Sequence, residues 1–457
     1  MKIDSTLIKK YDKPGPRYTS YPTAPQFSES FTSTDYQNEI IRTNDKPAAP
    51  DLSLYFHIPF CDTLCYFCGC SMIITSNRDR VKTYISYVKK EIDLLKKFIH
   101  PNRKAIQLHW GGGTPTHLTP DEIKNLVDSI NQCFEFKEMY EKSCEIDPRG
   151  LTKEHLAALR SGGFNRISMG VQDFNEKVQK AVNRIQPEDM TRTVVDWVRE
   201  LEFSSINLDL IYGLPFQTEK SFAETLDKII DIFPDRIAVF NYAHVPWMKK
   251  HMQLIQEEDL PSPEERLRIL EMTINRLIHK GYVFIGMDHF AKPHDELAIA
   301  LREKKLYRNF QGYSTHTGTD LYALGITSIS QIGKVYAQNI KTEKEYFQAL
   351  DSQNLPTQRG YSLSNDDIIR QHVIMKIMCN FELDFHEVEN KFSIIFEKYF
   401  SKALENLKEC IDDGLVTMSN KKLIVTDMGK LLIRNIAMNF DGFIEKQKDH
   451  ARYSRTI

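Results

Sequence analysis

From residue 52 onward the chain alternates two patterns. Short runs rich in β-branched and aromatic residues, at 52–58, 105–110, 143–146, 166–171, 206–211 and 236–241, predict strands. Between them, stretches such as 78–98, 121–134 and 219–232 repeat apolar residues at helical spacing and predict amphipathic helices. Strands that alternate with helices form βα units and a parallel sheet. Six such units favour a partial or full (β/α) barrel, a TIM-like (β/α)6 arrangement, over an open doubly wound sheet. A helix at 261–280 and an apolar run at 282–287 continue the pattern, and a turn-rich break at 352–362 marks a domain boundary.

Outside this region the character changes at both ends. After the break, helical patterns at 366–378 and 397–412 precede two short apolar runs, 415–418 and 423–425, around a turn at Ser419-Asn420-Lys421. That order resembles a winged helix, and reads either as a DNA-binding module or, since its charge is mixed, as a lid or packing domain. The first fifty residues are broken by Pro14, Pro16, Pro22 and Pro25 and by a Ser/Thr-rich run at 28–34. They read equally as a disordered arm or as a recognition segment. Arg17-Tyr18-Thr19-Ser20-Tyr21 combines a guanidinium, hydroxyls and flat rings suited to an anionic, planar ligand. The expected organisation is an N-terminal arm (1–50), a barrel (51–350) and a mostly helical C-terminal lid (351–457).

In barrels of this kind the chemistry sits at the carboxyl ends of the strands. Each predicted strand ends in groups that a plain core does not need. The first runs into a cysteine loop, the second into Gly111-Gly112-Gly113-Thr114-Pro115, and the third into Glu145-Ile146-Asp147-Pro148. The fourth ends in Gln172-Asp173, the fifth carries Asp209 before Tyr212-Gly213-Leu214-Pro215, and the sixth ends in Asn241-Tyr242-Ala243-His244. Singly these are ordinary turns and helix caps; together they form a ring of polar groups around one mouth. His289 reads first as a hydrogen-bonded strand-end histidine.

The loop Cys61-Asp62-Thr63-Leu64-Cys65-Tyr66-Phe67-Cys68-Gly69-Cys70 holds four of the eight cysteines. Three thiols spaced Cys-x-x-x-Cys-x-x-Cys suit three irons of a cubane cluster and leave the fourth iron open for a ligand. The competing reading, a structural zinc on Cys61, Cys65, Cys68 and Cys70, lacks the second Cys-x-x-Cys or Cys/His pair that such sites use. Cys133, Cys144, Cys379 and Cys410 are scattered singly and read as buried thiols. A formal net charge of -2 with interleaved signs gives no basic face for nucleic acid. With no apolar run of membrane-spanning length and no signal peptide, the expectation is a cytoplasmic protein that contacts neither membrane nor nucleic acid.

The cysteine spacing resembles the signature of radical S-adenosylmethionine (SAM) enzymes. A closer resemblance covers nearly the whole chain, through Pro14 to Ala24, His57 to Phe60, Trp110 to Thr116, Glu145 to Arg149, Ser168 to Phe174, Val182 to Arg184, Asp209 to Pro215, Phe240 to His244, Gly286 to Ala291, Asn309 to Tyr313, Ile433 to Ile436 and Tyr453 to Arg455. These segments are similar to the oxygen-independent coproporphyrinogen III oxidases, or coproporphyrinogen dehydrogenases, of haem biosynthesis.

The resemblance implies that Cys61, Cys65 and Cys68 hold a [4Fe-4S] cluster, with Cys70 no ligand. It implies two SAM molecules: one near Phe67, Gly113, Thr114, Gln172, Arg184, Asp209 and Ala243, the other near Tyr55, Gly112, Glu145 and Ile329. Tyr55 and Glu145 are the candidate catalytic residues, and Arg17, Tyr18, Thr19, Ser20 and Tyr21 the candidate substrate contacts. The implied reaction uses a 5′-deoxyadenosyl radical to turn two propionates of coproporphyrinogen III into vinyl groups, giving protoporphyrinogen IX. An electron donor such as flavodoxin or ferredoxin, an unidentified electron acceptor and a monomeric state complete the expectation. The alternative is a radical SAM relative that binds haem and hands it on.

Overall fold

A computed structural model describes residues 5–45, 49–444 and 453. Six strands, β1 (Leu52–Ile58), β2 (Ala105–Gly112), β3 (Phe136–Ile146), β4 (Arg166–Gln172), β5 (Ser205–Tyr212) and β6 (Arg236–Asn241), pair in parallel and in sequence order. Helices Arg78–Lys96, Pro120–Cys133, Lys153–Ser161, Glu188–Glu200 and Glu219–Ile232 connect them and cover the outer face. Local signals set the helix starts: Thr119 and Thr218 each close a capping box at the third residue of the helix that follows. The buried sides of these helices and strands share one core that includes Leu54, Phe56, Leu108, Trp110, Met169, Leu208 and Phe222.

The sheet does not close. Among the described residues it has twelve strands, ending at Val283–Gly286 beyond β6 and at Thr357–Ser362 on the far side of β1. Next to β1 lies Asp320–Leu324, a parallel partner in register from Leu52/Asp320 to Phe56/Leu324. The strands predicted from the sequence do not include this segment. The structure shows a fully buried strand instead, whose unbroken burial hides the period-two alternation of a half-exposed one. Beyond it, Ile329–Ile332, Val335–Asn339 and Thr357–Ser362 add an antiparallel meander, so the sheet runs on through residue 362.

The C-terminal part begins with helix Asn365–Asn380 and contains a three-stranded antiparallel sheet, Glu382–Asp384, Lys422–Val425 and Val416–Ser419. Helical turns fill the interval, which agrees with the winged-helix order. The predicted helix at 397–412 is three short helices, Phe396–Tyr399, Ser401–Asn406 and Lys408–Asp412. Tyr11, Tyr18 and Tyr21 of the N-terminal arm belong to the core of this part, together with Ile285, Leu306, Val373, Phe396 and Ile436. The arm is therefore packed structure, and the disordered reading of its proline-rich segment does not hold.

Candidate active site at the barrel mouth

The cysteine loop leaves the end of β1, and its first residues, Phe60–Cys61, pair in parallel with Ile73–Ile74. Four anchors hold its backbone: Tyr66 N donates to Val182 O at 3.0 Å, Asn183 Nδ2 to Leu64 O at 2.8 Å, Lys249 Nζ to Cys70 O at 2.9 Å, and His251 Nε2 lies 2.7 Å from Cys68 O. A loop fixed at this many points presents its thiols with little freedom left to lose on binding.

The thiols differ in surroundings. Cys65 Sγ accepts from Arg149 Nη2 at 3.3 Å and from Arg184 Nη1 at 3.7 Å, and Cys61 Sγ lies 3.4 Å from Thr114 Oγ1. Burial pushes the Cys61 thiol up to about 11, with Thr114 opposing. The hydrogen bond from Cys70 brings Cys68 down to about 6, and Lys249 and His251 act in the same direction. In this close pair the proton sits on Cys70, whose thiol is raised by Cys68 and by burial. The shared proton lowers Cys68 and raises Cys70. Cys61 also feels both Cys65 and Cys68, so the three thiols share one neighbourhood. Among the described residues no three His, Cys, Asp or Glu side chains are arranged to hold a single metal ion. Mutually close thiols with cationic donors on sulfur fit a cluster of several irons.

The other strand ends surround this loop. Gly112 adopts φ +119°, and a Cβ there would lie 2.8 Å from the His57 ring, so only glycine lets β2 pass this close to β1. A Cβ on Gly113 would collide with the Pro59 carbonyl oxygen. Burial alone would raise Asp147, but Arg184, at 2.9 Å, and Arg149 overcome it and hold the carboxyl below its usual range. Arg184 also donates to Gly170 O at 2.7 Å, so one buried guanidinium ties β3 and β4 to Cys65. Gln172 ends β4 at φ +70°, and its Oε1 is enclosed without a hydrogen-bond partner. Burial pushes Asp209 up to about 7 against the bond from Asn207 Nδ2 at 2.7 Å, and Glu145 adds to the rise. An orphaned acceptor and a carboxyl held near neutrality are what a polar cofactor with amine and hydroxyl donors would satisfy.

Two cavities open at the strand ends, one of them against the loop. One, of about 280 Å³, is lined by Tyr55, His57, Cys70, Gly112, Glu145 and Ile329, among others. There Glu145 accepts from Gly112 N at 3.2 Å and lies 3.3 Å from His109 Nε2. These contacts outweigh burial and leave its carboxyl lowered. The Tyr55 ring stacks on His109 at 5.8 Å, and its hydroxyl reaches His57 Nδ1 at 3.1 Å. The other cavity, of about 230 Å³, lies where arm, barrel and C-terminal part meet; Arg17, Ala243, Trp247, Asp288, Arg434 and Tyr453 contribute to its wall.

Family models match this chain twice: the radical SAM superfamily over residues 55–229, and the HemN C-terminal domain over residues 363–432. The oxygen-independent coproporphyrinogen III oxidase of Synechocystis sp. is 48% identical over 100% of this chain and 98% of its own length. That of Escherichia coli is 46% identical over 99% and 98%. A solved structure described as "Coproporphyrinogen III oxidase (HemN) from Escherichia coli is a Radical SAM enzyme" superposes with a TM-score of 0.92 at 46% identity, covering 97% of this chain and 100% of that one. This chain belongs to the oxygen-independent coproporphyrinogen III oxidase family.

The structure groups the candidate residues of this family member as follows. Cys61, Cys65, Cys68, Thr114 and Arg184 stand together at the loop. Phe67 packs beside it against the cluster of Val178, Val182, Leu214 and Tyr242. Tyr55, Gly112, Glu145 and Ile329 share one cavity, while Ala243 and Arg17 share the other. Tyr18 and Tyr21 are not brought to a cavity: both are 0% exposed, with Tyr18 donating to Asp441 Oδ2 at 2.9 Å and the Tyr21 hydroxyl accepting from Gly442 N at 3.0 Å. Ser20 is buried, and Thr19 is half-buried. The reading from sequence gave no role to His57, His109, Arg149, Lys249, His251 or Arg308. His57 and His109 were open to detection, since they follow the inward period-two positions of β1 and β2.

Proposed function

We propose that this chain carries out the oxygen-independent oxidative decarboxylation of two propionate side chains of coproporphyrinogen III, giving protoporphyrinogen IX. The observation that carries the reading is the cysteine loop at the barrel mouth, with Arg149 and Arg184 on Cys65, in a chain related over its whole length to enzymes of that name. The [4Fe-4S] cluster and SAM, when bound, supply a 5′-deoxyadenosyl radical that removes a hydrogen atom from the propionate β-carbon. Loss of carbon dioxide and of one electron to an acceptor then leaves a vinyl group.

The protein's part is placement and exclusion of water. Cys61, Cys65 and Cys68 hold the cluster. Phe67, Gly113, Thr114, Gln172, Arg184, Asp209 and Ala243 form the wall for the SAM on the cluster, with Gln172 Oε1 and the Asp209 carboxyl as polar anchors. Tyr55, Gly112, Glu145 and Ile329 hold the second SAM, where the lowered Glu145 carboxylate suits a sulfonium or an ammonium group. Arg17 faces the substrate. The single-electron steps call for a small donor protein of the flavodoxin or ferredoxin type and a separate acceptor; we place the enzyme in the cytoplasm as a monomer. Among the described residues no helix is long and apolar enough to cross a membrane.

The test is anaerobic. Enzyme reconstituted with iron and sulfide receives reductant, SAM and coproporphyrinogen III, and products are read by mass spectrometry. Divinyl product together with 5′-deoxyadenosine is expected, and Cys65→Ala should abolish both. SAM cleavage by the parent enzyme without a divinyl product would move the substrate elsewhere.

A further inference from the structure

Arg308 lies on a hairpin, Tyr307–Asn309 paired with Gly312–Ser314, beside the barrel mouth. It is only 4% exposed, and its Nε and Nη1 are enclosed without a hydrogen-bond partner. A guanidinium stays charged at every working pH, so burying it unpaired is unfavourable unless something else compensates. The Tyr313 ring, 4.8 Å from Arg308 Cζ, supplies part of that through its π face. The rest is unmet.

The surroundings define what is missing. His289 and Tyr313 line the barrel interior together with Glu145 and Asp209; Arg17, Asp288 and Arg434 line the 230 Å³ cavity. Arg308 lies between the two, close enough to His289, Tyr313 and Arg434 to act on each. Asp288 is the carboxylate these groups have in common, and Arg17 is paired with it. Arg308 thus adds a guanidinium to a corner that already holds Arg17 and Arg434. His289 contributes no charge, since burial first and Arg308 second push it down to about 3, and its Nδ1 is also enclosed and unpartnered. A buried guanidinium with two unpartnered donors, next to an unsatisfied neutral imidazole, fits a carboxylate.

We propose that Arg308 and His289 form a clamp for a propionate carboxylate that the reaction leaves intact. The assignment rests on the substrate reading above. A carboxylate destined to leave as neutral carbon dioxide gains nothing from an ion pair made in the ground state and lost in the transition state. One that survives both turnovers can stay paired throughout. The clamp would fix the ring's orientation and so decide which side chains are presented to the radical. Arg434 donates to the carbonyls of Gly15 and Pro16, which connects the same corner to the arm.

The experiment needs no turnover. Reconstituted holoenzyme is titrated anaerobically with coproporphyrin III, with protoporphyrin IX and with coproporphyrin III tetramethyl ester, and binding is read by fluorescence quenching. The parent should prefer each free acid to the ester. Arg308→Gln should weaken both free acids about ten-fold or more, leave the ester unchanged, and keep SAM binding and the cluster spectrum; Arg308→Lys should recover part of the loss. Arg308→Gln that retains the parent's acid-over-ester preference would overturn the clamp, as would a loss confined to coproporphyrin III, which would mark a carboxylate that is consumed. If the clamp signature is present but the parent makes no divinyl product, it is the reaction that fails. Turnover without any preference of the parent for acid over ester retains the reaction and discards the clamp.

Discussion

At the scale of single residues, the charges around Cys65 and Asp209 have opposite consequences. Arg149 and Arg184 reach the Cys65 sulfur at 3.3 and 3.7 Å. Cationic donors on a ligand sulfur favour the more negative, reduced cluster, so Arg149→Leu should lower its midpoint potential. A charge-assisted bond of about 1.5–3 kcal/mol corresponds to roughly 60–130 mV for one electron. A redox titration followed by electron paramagnetic resonance checks the value, and an unchanged potential would show that this contact does not tune the cluster.

Asp209 works against folding. Its carboxyl, raised from 3.8 to about 7, keeps a proton in the folded chain that the unfolded chain has already released between about pH 4 and pH 7. Stability of the cluster-free protein therefore falls as pH rises through that window, by a few kcal/mol at most. Asp209→Asn should melt higher than the parent at pH 8, with the two converging near pH 4 in a thermal scan. A constant gap across that range would mean that Asp209 is ionised in the folded chain.

Among structural elements, the helix Arg78–Lys96 is tied to the wall of the 280 Å³ cavity by one buried carboxyl. Glu91 accepts from Tyr346 Oη at 2.5 Å, Asn339 Nδ2 at 2.7 Å and Gly325 N at 2.8 Å, and burial pushes it up to about 7 against these bonds. Gly325 opens the turn that carries Thr327, Ser328 and Ile329 into the cavity. Glu91→Ala strands three buried donors and should cost about 3 kcal/mol or more, whereas Glu91→Gln keeps most of the bonds. The alanine variant should lower the melting temperature and raise KM for SAM while leaving porphyrin binding alone. An unchanged KM would show that the turn holds its shape without Glu91.

Such ties mark the limit of what the sequence shows. β1, β4, β5 and β6 are legible because their runs of β-branched and apolar residues stand out between helical stretches, and the ring of chemistry is legible because it recurs at each strand end. Only the last residues of β3 were legible. Its first half, Phe136 to Tyr140, is exposed at its three middle positions and carries Lys137 and Glu138, so no apolar run announces it. Asp320–Leu324 was missed because all five positions are buried, so the run shows no period-two alternation, and Gly325 ends it at once. Within the site, the cysteines declare themselves by spacing, but Lys249 and His251 act on backbone carbonyls of a loop some 180 positions earlier in the chain, and a contact at that separation leaves no local pattern.

For the whole molecule, the N-terminal arm and the C-terminal part share one core. Tyr18 and Tyr21 are fully buried in the C-terminal core, the Tyr21 carbonyl accepts from Gln371 Nε2 at 3.0 Å and Tyr336 Oη at 3.2 Å, and Arg434 holds Gly15 and Pro16. This docking delivers Arg17 to Asp288 and to the face of Phe240. The tyrosines therefore act on the cavity by positioning a neighbour that lines it. Truncating such a buried aromatic ring costs about 3–5 kcal/mol, and the loss falls on arm docking rather than on the barrel, whose core these rings do not join. Tyr18→Ala should expose the bond after Arg17 to trypsin within a time that leaves the parent intact. The cluster spectrum and SAM binding should be unchanged, and KM for the porphyrinogen should rise more than kcat falls. Tyr18→Phe retains the ring, loses only the bond to Asp441, and should remain resistant. If the alanine variant resists trypsin as the parent does, the arm is held by its other contacts, and Arg17 would reach the cavity without help from Tyr18.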